Sequence, residues 1–222
     1  SGKIIENCFT TSPFRAVKEK IESFTAEDRD WQVELIRGSM DARIGSNITV
    51  TQTREEEQSI EADIPLLDKE TMVKQALLLA EELRRKARYS KEGEPSWAVL
   101  KSIPDTEQFM VDAMDYSLYD GRCGVALFLA AVERVSPGSG FGDMAGTTMG
   151  VVRRWLKKAN RGDVSFIGIG GCSGLGSLIY TLARLGEMMN DQVLYAEARH
   201  AAMLIEQEHI EEDKVFDIIA GS

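Results

Sequence analysis

The chain is poor in metal-binding side chains, with three cysteines and two histidines in 222 residues. No Cys-x-x-Cys occurs, and a zinc site needs three or four Cys, His or carboxylate ligands brought together. Cys8, Cys123 and Cys172 cannot all be paired. The N-terminal "SGKIIENCFTTSP" has no apolar core behind a basic start, so it is not a signal peptide. Both features point to a reducing cytoplasm. The missing initiator Met is expected of an excised or tagged piece. No run of about 18 apolar residues exists, so no membrane span is expected. Sustained alternation is also missing, which predicts little sheet. Basic charge is scarce: 26 Lys and Arg against 36 Asp and Glu give a net charge of −10. Such a surface repels a phosphate backbone, so no nucleic-acid partner is expected. The one basic patch, "RRWLKKANR" at Arg153 to Arg161, reads as the solvated face of a helix.

What the chain does contain is globular in composition, 43% hydrophobic and 28% charged. In "TTSPFRAVKEKIESF", Ser12 suits a helix cap and Pro13 the first helical position. Phe14, Val17, Ile21 and Phe24 then share one face. A second helix starts at "TAED", with Thr25 and Asp28 at capping-box spacing and Trp31, Leu35 and Ile36 on its buried side. The acidic, polar "TQTREEEQSIEAD" then reads as a linker. The organisation expected is a first unit at 1–50, a linker at 51–68 and a second, helical unit at 69–222. In that second unit three stripes recur at helical spacing: Met72, Ala76, Leu79, Leu83 and Ala87; Met149, Val152, Trp155 and Ala159; Leu194, Ala198, Ala201 and Ile205.

The second unit repeats itself. Gly121, Gly171 and Gly221 are spaced by 50 residues, and Gly-x-x-Gly leads into apolar runs at "GRCGVALFLAAV" and "GCSGLGSLIYTL". Each period is an amphipathic helix, a glycine turn and a more apolar helix. The apolar helices, Val125–Val132 and Leu175–Leu185, should lie inside, with the amphipathic ones covering them. Stacked helix pairs of this kind form an open superhelix or a closed ring, and in a ring the glycine turns would cluster at one end.

The candidate chemistry is sparse. Cys123 and Cys172 hold nearly equivalent repeat positions, but the expected state is two small buried thiols. His200 and His209 are expected on an exposed polar helix. "GIGGCSGLGS" imitates a dinucleotide fingerprint, yet that fingerprint needs a preceding strand and a βαβ unit, and the surroundings are helical. Asp120 is a natural cap for the helix that follows it. Asp217 differs, because the positions four before Gly121 and Gly171 are Ser117 and Ile167. An acid present in one repeat only, where the loops converge, is a functional candidate, with a helix cap as the alternative.

"PSWAVL", "YSLYDGRCGVALFLAAV", "IGGCSGLGSLIYTLARL" and "DKVFDIIAGS" resemble successive motifs of the cyclase domain of class II lanthipeptide synthetases. "SPFRAVKEKIESFTAEDRDWQVELIRGSM" resembles the end of their dehydratase domain. The resemblance implies an all-α fold: N-terminal helices, then roughly half of an (α/α) toroid of the lanthionine cyclase type. It implies a bifunctional enzyme acting on a ribosomally made precursor peptide. ATP and Mg²⁺ would serve Ser/Thr dehydration in the first domain. In the second, Zn²⁺ would activate a peptide Cys for addition to the dehydroamino acid, forming a thioether. Asp217 in "FDIIAGS" matches the acid–base Asp of the family's Asp-Val-Ile-x-Gly motif. The family's zinc ligands, a Cys and a later Cys-His pair, match nothing in these residues and are expected downstream. The kinase-like residues are expected before Ser1. The fragment alone is expected to be inactive. The competing reading is a non-catalytic peptide- or partner-binding module derived from such an enzyme.

Overall fold

The computed structural model describes residues 11–47, 68–103, 106 and 109–221. Nearly all of the acidic linker lies outside them. The chain divides into two compact units, Ser1–Thr53 with Leu100–Asp112, and Arg54–Val99 with Ala113–Ser222.

The first unit contains α1 (Pro13–Glu22) and α2 (Ala26–Asn47). Ser12 caps α1 by accepting the Arg15 N–H, with Pro13 at the first position. Thr25 and Asp28 close a reciprocal capping box at α2, each side chain accepting the other's backbone N–H at 3.2 and 2.9 Å. Phe14, Val17, Ile21 and Phe24 are all more than half exposed. On α2, Trp31 and Leu35 are half-buried as expected, whereas Ile36 is exposed. Gly38 continues the covered face, one turn beyond Leu35. A Cβ on it would stand 3.8 Å from a Val111 methyl. Val111 belongs to β4 (Phe109–Ala113), which pairs with β3 (Ala98–Ser102). These strands correct the expectation of a purely helical segment from residue 69 onward. They span only two to five residues, too few to display a period.

The first described helix of the second unit is α3 (Lys69–Lys86), capped by Asp68, whose carboxylate accepts the Thr71 N–H at 2.8 Å. The buried face of α3 is Val73, Ala76, Leu77, Ala80, Leu83 and Ala87, while Met72 and Leu79 are exposed. The run of leucines at 77–79 covers most of the helix circumference and hides the phase. A hairpin of β1 (Arg88–Tyr89) and β2 (Pro95–Ser96) follows, antiparallel. Buried Trp97 ties this region back to α3 by donating its indole N–H to the Leu83 carbonyl at 2.9 Å. The remaining helices are α4 (Arg122–Val135), α5 (Phe141–Thr148), α6 (Gly150–Leu156), α7 (Arg161–Ile167), α8 (Leu175–Met189), α9 (Gln192–Ala202) and α10 (Gln207–Glu212).

The apolar helices α4 and α8 pack on each other, α3 and α5 pack on α4, and α9 covers α8. The core is therefore Ala126, Leu129 and Ala130 of α4 against Leu178, Leu182 and Leu185 of α8, closed by Phe141, Met149, Leu194 and Ala201. This is the alternation of apolar inner and amphipathic outer helices read from the sequence, and the fold is all-α. The basic stretch at Arg153 to Arg161 is spent on ion pairs: Arg153 with Glu197 of α9, Arg154 with buried Glu94, and Arg161 with Glu206. No described helix is long and apolar enough to cross a membrane.

Candidate functional site

The glycine turns do converge, and backbone hydrogen bonds hold them side by side. The N–H groups of Leu118 and Tyr119 donate to the Cys172 carbonyl, at 2.8 and 3.3 Å. Gly171 N–H then donates to Ile218 O at 2.9 Å. The Cys172 and Ser173 N–H groups donate to Ile219 O at 2.9 and 3.0 Å. Turn 1 (115–121), turn 2 (168–174) and turn 3 (215–221) thus form one strip at the N-terminal ends of α4 and α8. Such spacing demands glycine. A Cβ on Gly121 would meet the Ser117 carbonyl at 2.7 Å, and one on Gly174 the Gly168 carbonyl at 2.8 Å.

These bonds also fix the true repeat register. Arg122 N–H donates to Asp115 O, and Leu175 N–H to Gly168 O, at 2.9 Å each. Gly121 and Gly174 are the two helix caps, so Gly174, not Gly171, corresponds to Gly121. Gly174 N–H bonds to Gly170 O, and Gly221 N–H to Asp217 O. Asp217 therefore corresponds to Ser117 and Gly170, not to Ile167. It remains the one acid at that position.

Asp217 lies exposed within turn 3. Its Oδ1 accepts the N–H groups of Ile219 and Ala220, at 2.8 and 2.9 Å. This holds one carboxylate oxygen still. Among the described residues no hydrogen bond is made to Oδ2. The corresponding side chain in turn 1, buried Ser117, accepts the Asp120 N–H and donates its hydroxyl to Asp120 Oδ1 at 2.6 Å. Asp120 consequently braces its own turn, and α4 has Gly121 as its N-cap residue, with no side-chain cap hydrogen bond. This corrects the expected capping role. Ser117 was not singled out in the sequence, although Ser117 and Asp120 sit at the Ser-x-x-Asp spacing that signals reciprocal bonding.

The register separates the two described cysteines. Cys123 lies in the first turn of α4 and corresponds to Gly176, whereas Cys172 sits within turn 2. Both thiols are free. Burial pushes the Cys123 thiol up to about 12. The fully buried Thr181 hydroxyl beside it offsets this only in part and falls short of regular hydrogen-bond geometry. Cys172 is half-buried. His200 is exposed on α9, as expected, but His209 is not a free surface imidazole. Its Nδ1 accepts the Glu206 N–H at 2.9 Å, and its Nε2 lies 3.1 Å from the Arg161 carbonyl, which makes Nε2 the protonated nitrogen. Among the described residues no three His, Cys, Asp or Glu side chains gather to hold a metal ion. The thiols and imidazoles described here do not fit a zinc site. The dinucleotide imitation also fails structurally, since "DVSFI" is helical in α7 and no strand precedes the glycines.

No curated protein matches the chain. Residues 112–222, half of its length, match the family described as lanthionine synthetase C-like protein. That stretch holds all three glycine turns, both inner helices and Asp217. The chain belongs to the lanthionine synthetase C-like family, which is associated with thioether cyclase activity.

Proposed function

We propose that this chain is the junction of a class II lanthipeptide synthetase, with the end of the dehydratase domain in residues 1–50 and the first part of the cyclase toroid in 69–222. Its substrate is a ribosomally made precursor peptide, and its setting is the cytoplasm. ATP and Mg²⁺ serve the dehydratase domain, through residues other than these. A zinc ion in the intact cyclase supplies a more acidic peptide thiol. Its ligands are not among the described residues.

The strip of three hydrogen-bonded turns, with one acid at a position that is Ser or Gly in the other two, carries this reading. Addition of a thiolate to a dehydroamino acid leaves an enolate that needs a proton at Cα. Asp217, with Oδ1 fixed by two amides, keeps Oδ2 available to orient a proton donor or to pass a proton itself. The same two amide bonds are also what a merely structural turn residue makes, and that observation favours the binding-module reading. Ring formation by the synthetase that carries this segment separates the two. Asp217→Asn is expected to slow thioether formation from a pre-dehydrated peptide by about 10²-fold or more. Ser/Thr dehydration by the same variant should be unchanged. Rings formed at the wild-type rate would leave the binding-module reading. The 222-residue chain alone, supplied with Zn²⁺, is expected to match the uncatalysed rate.

A further inference from the structure

Turn 2 holds the Asp217 carboxylate through two peptide groups of turn 3. The Ile219 and Ala220 N–H groups that fix Asp217 Oδ1 belong to the peptides whose carbonyls are Ile218 O and Ile219 O. Both peptides are trans, so each is a rigid plane with its oxygen and its N–H on opposite sides. Turn 2 bonds to both oxygens. Gly171 N–H donates to Ile218 O at 2.9 Å. The Cys172 N–H, the Ser173 N–H and the Ser173 hydroxyl converge on Ile219 O, at 2.9, 3.0 and 3.1 Å. A carbonyl oxygen only accepts, so the hydroxyl is the donor.

Ser173 reaches across to turn 3 because it lacks the partner that its counterpart has. With Gly174 matched to Gly121, Ser173 corresponds to Asp120, whose carboxylate is taken by Ser117 within turn 1. The Ser117 position in turn 2 is Gly170, which has no side chain to offer. The half-buried hydroxyl of Ser173 therefore turns outward, to the neighbouring turn that carries the acid.

Resting on the reading of Asp217 as the acid of ring formation, we propose that Ser173 is a positioning residue for Asp217. It acts through the peptide that joins Ile219 to Ala220. A donor on the carbonyl polarises that peptide and strengthens the bond made by its N–H, which here is the bond to Asp217 Oδ1. The hydroxyl thus stiffens the carboxylate's orientation and leaves Oδ2 to the chemistry. Ser173 itself touches neither the substrate nor the transferred proton. Unlike the amide bonds beside it, its contribution can be removed by changing one side chain.

The test compares Ser173→Ala and Ser173→Thr in the synthetase that carries this segment, each alone and combined with Asp217→Asn, acting on a pre-dehydrated peptide. Ser173→Ala should lower kcat for thioether formation about 2- to 10-fold, the value of one hydrogen bond, and leave KM unchanged. Ser173→Thr keeps the hydroxyl and should restore the rate. In the Asp217→Asn background Ser173→Ala should cost nothing further, because no carboxylate is left to position. A serine that only supported the fold would cost the same in both backgrounds. In the ¹⁵N-labelled 222-residue chain, the Ala220 amide proton should move upfield in Ser173→Ala and not in Ser173→Thr. The Leu118 and Tyr119 amides, which bond turn 1 to turn 2, should stay in place and report that the fold is kept. Wild-type kcat in Ser173→Ala, an equal loss in both backgrounds, an equally slow Ser173→Thr or an unmoved Ala220 amide overturns the positioning role. With a slow Asp217→Asn, each of those results leaves the catalytic acid standing. A wild-type rate in Asp217→Asn overturns the acid and its positioning together.

Discussion

Gly170 lies directly against Ala220: a Cβ on the glycine would fall 2.6 Å from both the Cα and the carbonyl oxygen of the alanine. The obstacle is backbone, which cannot swing aside as a side-chain end can. It is also the backbone of the turn that holds Asp217.

Gly170→Ala should therefore pry turn 3 from turn 2. The expected cost is about 1–3 kcal/mol, the range for forcing extra volume into a packed site. Gly146→Ala is the matched comparison. Gly146 sits inside α5, and a Cβ there meets only a Met189 methyl at an ordinary 3.8 Å. Removing a glycine from a helix interior should stabilise by about 0.5–1 kcal/mol. Urea unfolding of the two variants checks the opposite signs, and equal shifts would refute the packing of turn 2 on turn 3.

Gly170 also shows what the sequence could and could not reveal. The even spacing of Gly121, Gly171 and Gly221 announced repeated turns, and the apolar runs after them announced inner helices α4 and α8. Helix-cap register was hidden, because turn 2 is glycine-rich at 168, 170, 171 and 174, and only backbone bonds tell which glycine caps α8. The inter-turn ladder is invisible for the same reason: amides and carbonyls carry no residue identity. Asp217 was legible because it is a side-chain exception in a repeat. The phase of α3 was not, since Leu77, Leu78 and Leu79 satisfy several faces and packing on α4 selects Leu77.

Cys123 and Thr181 face each other across the contact of α4 with α8. A thiol held up at about 12 carries almost no thiolate at pH 8, and it is also shut off from solvent. Of the two described cysteines, Cys172 should react with a disulfide reagent in the native protein and Cys123 only after unfolding. Thr181 is a fully buried hydroxyl without a regular partner. Thr181→Val keeps the shape and removes that unsatisfied group, so it should stabilise by about 1 kcal/mol. Mass-resolved thiol labelling along a urea series reads both effects. Early labelling of Cys123, or a destabilised Thr181→Val, would mean that α4 and α8 are not packed as described.

Glu133 makes an acid-sensitive contribution to the fold. From the end of α4 its carboxylate accepts the N–H groups of Gly138, Phe141 and Gly142 and the Ser139 hydroxyl, at 2.6 to 3.1 Å. It thus caps α5 from another helix, where a negative charge suits the amide end. Those bonds, the backbone ones at Gly142 and Gly138 first, lower its pKa from 4.5 to about 2. Because the folded value is the lower one, the unfolded chain binds the proton more readily. The contribution is complete above about pH 4.5 and is lost as pH falls toward 2. Glu133→Gln should lower the melting temperature at neutral pH and flatten its decline between pH 4.5 and 2 relative to the parent. Glu82, held near 2 by Arg85 and Lys86, stays in both proteins, so the parent-minus-variant difference isolates Glu133. A difference that stays constant from pH 7 to pH 2 would show that the side chain acts through its shape and not its charge.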